Sequence, residues 1–115
     1  MASVPSPLIK DLKARIKGEV YADKLTCGLY ATDASIYEIF PICVVVPRDI
    51  EDTLQVVACA KEHSVPLLPR GGGTSLGGQA VGPAIVLDLT TYVRKILEIN
   101  KEERWVRVQP GVVLD

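Results

Sequence analysis

The sequence has few aromatic residues and no excess of either charge, and each shortage excludes a class of protein. The chain has 115 residues, of which 5% are aromatic and 23% charged, with a formal net charge of −1. A balanced charge lacks the basic surface that binding to nucleic acid or to an anionic membrane requires. The hydrophobic content of 48% is typical of a soluble globular chain with a core. We therefore expect one small domain, or part of a larger one, that binds no nucleic acid.

Cysteine is scarce as well, and long apolar runs are missing. Cys27, Cys43 and Cys59 form no CxxC pair, which argues against zinc or iron–sulfur ligation within this chain. Their odd number argues against a disulfide framework, so we expect buried free thiols, no metal site and a reducing compartment. The apolar runs are too short to cross a bilayer, and the first residues lack the apolar core of a secretory signal. These absences predict a cytoplasmic protein.

The first 40 residues predict one helix followed by an irregular segment. Ser6 and Pro7 are typical of a helix start, and Gly18 is typical of a helix end. Residues 20–40 are rich in turn-forming residues and tyrosines and show no clear period. We therefore interpret residues 1–40 as an N-terminal helix with an irregular lead-in. The apolar residues of the helix recur at helical spacing: Leu8, Ile9, Leu12 and Ile16.

Residues 41–115 predict a short parallel β-α-β unit at their start. The run PICVVVP, residues 41–47, is typical of a buried strand. Asp49 then caps a helix, with Asp52 near the reciprocal capping position. Residues 65–69 form the next strand, and this order of elements indicates a parallel crossover. The apolar residues of the helix predict its buried face: Ile50, Leu54, Val57 and Ala58.

A strand, a hairpin and a turn follow. Residues 84–89 (AIVLDL) predict a strand, and residues 96–100 and 104–109 predict the two arms of an antiparallel hairpin. A Pro-Gly turn comes next, at residues 110–111. The single histidine, His63, lies where the capped helix ends, and we interpret it as a contact to free carbonyls or solvent.

The most unusual stretch is PRGGGTSLGGQ, residues 69–79. It holds five of the nine glycines, between Gly71 and Gly78. Helices and strands avoid glycine because ordering it costs extra backbone entropy. Consecutive N–H groups in such a loop can form a concave anion site. The stretch therefore predicts a loop that holds a phosphorylated cofactor by its backbone, with a purely structural glycine turn as the alternative.

Two common nucleotide loops do not fit this stretch. A Walker A loop needs a lysine after its last glycine, and the sequence continues instead with Thr74 and Ser75. A dinucleotide fingerprint needs a third glycine where Leu76 stands, and it opens a helix rather than a strand. A backbone cradle between two strands remains, to which the two hydroxyls could add donors. Arg70 could pair with a phosphate or pin the loop to a carboxylate, and the residues leave this choice open.

Residues 30–115 resemble a known family of domains. PRGGGTSLGGQ, followed by IVLDLTTYVRKILEIN and VRVQPGVVLD, resembles the FAD-binding domain of the vanillyl-alcohol oxidase/p-cresol methylhydroxylase superfamily. It is most similar to FAD-linked dehydrogenases of D-2-hydroxy acids, which act on D-lactate, glycolate or D-2-hydroxyglutarate. The resemblance implies an α+β fold, in which residues 41–115 are the first part of a truncated p-cresol methylhydroxylase-type FAD-binding domain. The chain then corresponds to a fragment of a longer protein.

The resemblance also implies a set of cofactor-binding residues. The glycine-rich loop would bind the FAD pyrophosphate through backbone amides, and the Pro-Gly turn would lie close to the cofactor. Some relatives attach FAD covalently through a histidine in this loop, but Thr74 occupies the matching position, which implies non-covalent FAD. The implied residues are Arg70, Gly71, Gly72, Gly73, Thr74, Ser75, Leu76, Gly78, Gln79, Pro110 and Gly111.

The function implied by the resemblance is oxidation of a 2-hydroxy acid by hydride transfer to FAD. The electrons would then leave to a carrier protein, a quinone or an iron–sulfur centre. The substrate domain, the catalytic residues and any iron–sulfur clusters would belong to a C-terminal part that this chain lacks. The alternative is a non-catalytic scaffold fragment that does not bind FAD by itself. In that case its exposed sheet or apolar surface would favour homo-oligomers.

Overall fold

Four of the six strands form one mixed sheet, and the last two form a separate hairpin. The structure is a computed structural model that describes residues 6–113. Within those residues no helix combines the length and the apolar content that crossing a bilayer requires. The elements are α1 (Ser6–Arg15), β1 (Glu19–Tyr21), α2 (Lys24–Leu29), β2 (Cys43–Val46), α3 (Ile50–Glu62), β3 (Leu67–Arg70), β4 (Ile85–Asp88), β5 (Ile96–Asn100) and β6 (Trp105–Val108).

The four-stranded sheet has the order β1-β2-β4-β3. Strands β2, β4 and β3 are parallel, as the β-α-β pattern predicts, whereas β1 runs antiparallel to β2. The predicted unit is modified in one respect, because β4 lies between β2 and β3. All four residues of β4 are buried, as in a central strand. Strand β3 carries Pro69, which has no N–H for a ladder, and it takes the edge position that proline tolerates.

The apolar residues of helix α1 agree with the predicted pattern. Leu8, Leu12 and Ile16 are buried in the core that α1 shares with α3 and the sheet. For His63, at the end of α3, the sequence predicted a contact with free carbonyls or solvent, but the side chain contacts a carboxylate instead. Its Nε2 lies 3.0 Å from Asp11 Oδ2 on α1, because the two helix faces meet there.

The predicted buried face of α3 is wrong. Ile50, Leu54 and Val57 are 47%, 61% and 47% exposed, and Ala58 is only half-buried. The helix is rotated so that a different set of side chains faces the core: Asp52, Val56, Cys59 and Ala60. A prediction from hydrophobicity alone gives the wrong face because one residue of the buried face, Asp52, carries a carboxylate.

Asp52 explains the rotation of α3. Its side chain is buried and accepts three backbone hydrogen bonds, from Lys17 N at 3.0 Å and from Gly18 N and Arg48 N at 2.9 Å each. Asp49 caps the helix as predicted, since its Oδ1 accepts from Asp52 N at 2.9 Å. In a capping box the Asp52 carboxylate would accept a hydrogen bond from Asp49 N, but here it accepts from Arg48 N instead. Asp52 therefore fastens the α1–β1 connection to the start of α3.

The N-terminal 40 residues contain more regular structure than predicted. Strand β1 pairs with β2, so that Glu19 lies opposite Val46. Helix α2 begins after Asp23, whose carboxylate accepts from Thr26 N at 2.8 Å. Six residues with a glycine among them show no helical period, so the cap is the main local signal for α2. The division of the chain at residue 40 stays a prediction.

The hairpin lies where the alternating pattern predicts it. Strands β5 and β6 are antiparallel, with a register irregularity between Ile96 and Glu98. A turn at residues 101–104 joins them, and nearly all residues of both arms are exposed. The Pro-Gly turn follows β6 as predicted, with Val112 N donating to Gln109 O at 3.2 Å. Residues 114–115, which follow, lie outside the described residues.

Candidate functional site

One cleft of about 840 Å³ brings together residues from three separate parts of the chain. Its first wall is the glycine loop, which we define as residues 71–79 and which leaves the C-terminal end of β3. The carboxyl ends of parallel strands are where α/β sheets commonly bind ligands. The second and third walls follow β4 and β6. The residues that line the cleft are Gly71, Gly72, Thr74, Thr90, Arg94, Ile96, Pro110, Gly111, Val112 and Val113.

At Gly71 and Gly72, neither the backbone conformation nor the packing of the described residues requires a glycine. Neither has a positive φ. A Cβ on Gly71 would meet no atom within 4 Å, and one on Gly72 would meet only Thr74 Cγ2, at 3.7 Å. Both residues line the cleft, so a Cβ there would occupy cleft space rather than protein. Two adjacent glycines with no internal reason fit a site where a ligand approaches the backbone closely.

The amides of the loop are also available. Within residues 6–113, the five N–H groups of residues 71–75 donate no hydrogen bond to the chain. Successive free amides in a non-regular segment are the donors of an anion-binding concavity. The diphosphate of a nucleotide cofactor fits this donor set, because it offers several anionic acceptors to neutral N–H groups.

Two other loop glycines have structural reasons. Gly73 and Gly78 have φ values of +71° and +77°, a region that side chains disfavour. A Cβ on Gly73 would lie 2.5 Å from Arg70 Nη2, and one on Gly78 would lie 2.6 Å from Tyr37 Cδ2. These two residues shape the loop and do not line the cleft.

Ser75, Leu76 and Gln79 do not line the cleft either. Ser75 Oγ closes the loop on itself, because it accepts from Gly77 N and Gln79 N at 3.2 Å each and donates to Gln79 Oε1 at 2.8 Å. The side chain of Leu76 is 83% exposed. The structure therefore divides the predicted site residues into those at the cleft and those that hold the loop in shape.

Arg70 follows neither alternative that the sequence left open. Its Nη1 donates to Tyr30 O at 3.2 Å and to Ala80 O at 3.1 Å, and its Nη2 donates to Thr32 O at 2.8 Å. The guanidinium pins the loop, but to backbone carbonyls rather than to a carboxylate. Since Ala80 follows the glycine loop directly, Arg70 joins both ends of the loop to the segment after α2.

The segment after α2 supports the loop from behind. Asp33 Oδ2 accepts from Ala80 N at 3.2 Å, and Ala34 N donates to Gly73 O at 3.1 Å. Hydrogen bonds from Ser35, together with that from Ala80, hold the pKa of Asp33 below its ordinary value because they favour the carboxylate. This support joins positions distant in sequence, so no local pattern indicated it.

Asp88 connects the second wall to the same segment. This buried carboxylate ends β4, and its Oδ1 accepts from Thr90 N at 2.9 Å and Thr90 Oγ1 at 2.6 Å. Its Oδ2 accepts from the Tyr30 hydroxyl. Burial, and then this hydrogen bond, raise the pKa of Tyr30, so the hydroxyl stays a donor. Sequence reasoning missed Thr90 as a cleft residue, although an Asp-x-Thr at a strand end is a local signal for such a turn.

The Pro-Gly turn reaches the cleft through a close backbone approach. Gly111 N donates to Val93 O at 2.8 Å. A Cβ on Gly111 would lie 2.0 Å from Leu89 O and 2.6 Å from Val93 O, so only glycine fits. The turn that the resemblance placed close to the cofactor therefore lines the same cleft as the glycine loop.

Comparison with known protein families agrees with this geometry. The model of a family described as an FAD binding domain matches residues 41–115. The chain belongs to this family. This confirms the sequence resemblance to the vanillyl-alcohol oxidase/p-cresol methylhydroxylase flavoproteins and the predicted α+β class. FAD is the cofactor of the family.

Several curated relatives of this chain carry the names of oxidoreductases. It is 46% identical over 102 residues to D-2-hydroxyglutarate dehydrogenase of Pseudomonas putida, which covers 86% of this chain and 10% of that protein. It is 32% identical over 109 residues to glycolate oxidase subunit GlcD of Bacillus subtilis, which covers 91% of this chain and 23% of that protein. The chain thus spans only a tenth to a quarter of the length of these relatives.

Solved structures of flavoproteins share the fold. The 4-ethylphenol oxidase from Gulosibacter chungangensis superposes with a TM-score of 0.80 at 25% identity, over 93% of this chain and 22% of that one. A p-cresol methylhydroxylase superposes with a TM-score of 0.79 at 23% identity, over 92% of this chain and 22% of that one, and supports the fold alone.

Proposed function

We propose that the full-length protein is an FAD-linked dehydrogenase and that this chain supplies the part of the site that holds the FAD diphosphate. The observation that carries the proposal is the pair Gly71 and Gly72. Their amides have no partner within residues 6–113, and their missing side chains leave the cleft open. The family of the chain supports FAD as the ligand.

The predicted site residues then have two kinds of role. The amides of Gly71, Gly72 and Thr74 bind the diphosphate from one wall, and the turn of Pro110 and Gly111 forms another wall. Because Thr74 stands where some relatives carry a histidine, FAD is held without a covalent bond. Bound FAD supplies the hydride acceptor. The residues that keep the loop in shape are Arg70, Gly73, Ser75, Gly78 and Gln79, while Leu76 is free to contact other parts of the protein.

The substrate that we propose is a 2-hydroxy acid, of the D-2-hydroxyglutarate, D-lactate or glycolate type. The support is the set of names that the curated relatives carry. The residues that bind the substrate and act as acid or base belong to the rest of the protein, as does the route to an electron acceptor. A cytoplasmic location stays a prediction.

The proposal is tested in the full-length protein with two matched substitutions in one loop. Gly72→Val places a side chain in the cleft, so the purified protein is expected to lose most of its flavin absorbance. Gly77→Val is the control, because Gly77 is an exposed residue of the same loop that does not line the cleft, and its Cβ would meet only Gln79 Cδ at 4.0 Å. Equal FAD content in both variants and the wild type would contradict the proposal.

The scaffold alternative has one observation in its favour. Several large apolar side chains are exposed, among them Leu25 at 78%, Leu29 at 70% and Ile36 at 94%. Such surfaces pack against other parts of a protein or against a second copy. A 115-residue chain that is purified without flavin and takes up none on titration would fit a fragment whose FAD site is completed by the rest of the protein. A tight one-to-one FAD complex of this chain would exclude the alternative.

A further inference from the structure

Among the described residues that line the cleft, those within 6–113, Arg94 is the one with a charge. It lies after β4, in a different segment from the glycine loop, and it lines the same cleft as Thr90 and Ile96. The other lining residues are glycines, threonines, a proline and aliphatic residues, so they contribute no formal charge.

The guanidinium of Arg94 has no partner in the part of the chain that the structure describes. It forms no ion pair, no side-chain hydrogen bond and no stacking contact with an aromatic ring. The nearby arginines differ in this respect. Arg70 donates to three carbonyls, Arg48 stacks on Tyr92 at 5.0 Å, and Arg107 lies 3.6 Å from Glu98.

The glycine loop by itself leaves a charge unbalanced. Backbone amides supply hydrogen bonds to a diphosphate but no formal positive charge, and the net charge of the chain is −1. A diphosphate diester such as the one in FAD carries two negative charges. The arginine that precedes the loop donates to carbonyls, so a formal counter-charge from the described residues would come from another position.

We propose that Arg94 is the cationic ligand of the FAD diphosphate. The proposal rests on the proposed function, and it moves the role of the phosphate-pairing arginine from Arg70 to Arg94. A guanidinium can donate two parallel N–H groups to phosphate oxygens, which adds orientation as well as charge. Arg94 then supplies the positive charge for the same diphosphate that the amides of Gly71 and Gly72 bind.

The test is titration of FAD into the flavin-free form of the full-length protein at low and at high salt. Arg94→Gln is compared with Lys95→Gln, which removes the same charge at the next residue, outside the cleft. Loss of a charge-assisted hydrogen bond is expected to weaken FAD binding by roughly ten- to a hundredfold, and to make it less sensitive to salt. The FAD affinity of Arg94→Lys is expected to fall between those of the wild type and Arg94→Gln, because lysine keeps the charge but lacks the two parallel N–H groups.

Riboflavin, which has no phosphate, is the second probe. Its affinity is expected to be the same in the wild type and in Arg94→Gln. Equal FAD affinity for wild type and Arg94→Gln, an equal loss in Lys95→Gln, or a parallel loss of riboflavin affinity would each overturn the assignment of Arg94 while leaving the proposed function intact. Failure of the wild type to bind FAD would overturn both.

Discussion

Arg70 and Tyr30 are joined by two contacts. Arg70 Nη1 donates to the Tyr30 carbonyl at 3.2 Å, and the guanidinium carbon lies 5.2 Å from the centre of the Tyr30 ring. The tyrosine hydroxyl in turn donates to Asp88 at the end of β4. A chain of three side chains therefore connects the glycine loop with the second wall of the cleft, so the shape of the loop depends on residues that do not line the cleft.

Removal of Arg70 should affect the protein before any cofactor is bound. Arg70→Ala breaks three hydrogen bonds to carbonyls, and we expect the flavin-free protein to lose about 2 kcal/mol of stability in this region. A direct phosphate ligand would leave the flavin-free form unchanged. Hydrogen exchange of peptides that cover residues 30–32 and 71–80 measures the loss. Arg107→Ala, at an exposed position on β6, is the control and should change little.

Asp52 should be the most sensitive carboxylate of the fold. Asp52→Ala leaves three backbone N–H groups without their acceptor at a buried position, so we expect a loss of about 3 kcal/mol or more. Asp52→Asn keeps one acceptor oxygen and should cost less. Chemical denaturation gives the size of the loss, and faster amide exchange at residues 17–18 locates it. Glu51→Ala changes an exposed neighbour and should be nearly neutral; an equal loss there would contradict the role of Asp52.

The α1–α3 contact should weaken in acid. Hydrogen bonds from His63 and then from Arg15 lower the pKa of Asp11 from its ordinary value of 3.8. A lowered folded-state pKa means that the contribution is complete above pH 3.8 and is lost as the pH falls through the lower value. Asp11→Asn should therefore lower the melting temperature at neutral pH and reduce its further fall in acid. Glu102→Gln, in the hairpin turn, serves as control, and a wild-type acid profile for Asp11→Asn would refute the prediction.

The three cysteines should be inert in the folded protein. All are buried and free, as the sequence predicted. Burial is the main cause that raises the pKa of Cys43 to about 12 and that of Cys59 to about 11, and it also raises the pKa of Cys27. At pH 8 we expect no alkylation of these thiols in the native state and full alkylation in denaturant. Peptide mapping by mass spectrometry checks each site, and rapid native labelling of Cys43 would show that the core opens.

The elements that the sequence predicted are those with a local signal. Strand β2 is a β-branched run between two prolines, and the hairpin β5–β6 is an alternating pattern around a charged turn. The N-cap of α3 is likewise a property of one residue and its neighbour three positions later. Such features depend on a few adjacent residues, so they can be recognised before the rest of the fold is known.

The predictions that failed concern the tertiary contacts of individual side chains. The apolar face of α3 pointed to Ile50 and Leu54, but the buried face contains Asp52, because amides from the α1–β1 connection lie there to receive its carboxylate. Hydrophobic periodicity contains no information about hydrogen-bond partners that are distant in the sequence. The same holds for Arg70, whose three acceptors lie up to 40 residues away in the sequence.

That residues 71–79 form a loop was determined by the sequence, since consecutive glycines disfavour helix and strand. Only the tertiary structure decided which glycines face the cleft. Gly71 and Gly72 open into it, whereas Gly73 is held beside Arg70. That Arg94 lines the same cleft was also a tertiary result, because the parallel pairing of β3 with β4 brings the segments that follow both strands to one edge of the sheet. A cofactor site needs groups that follow several strands at one place. Sheet pairing, rather than local sequence, sets the distances between those groups.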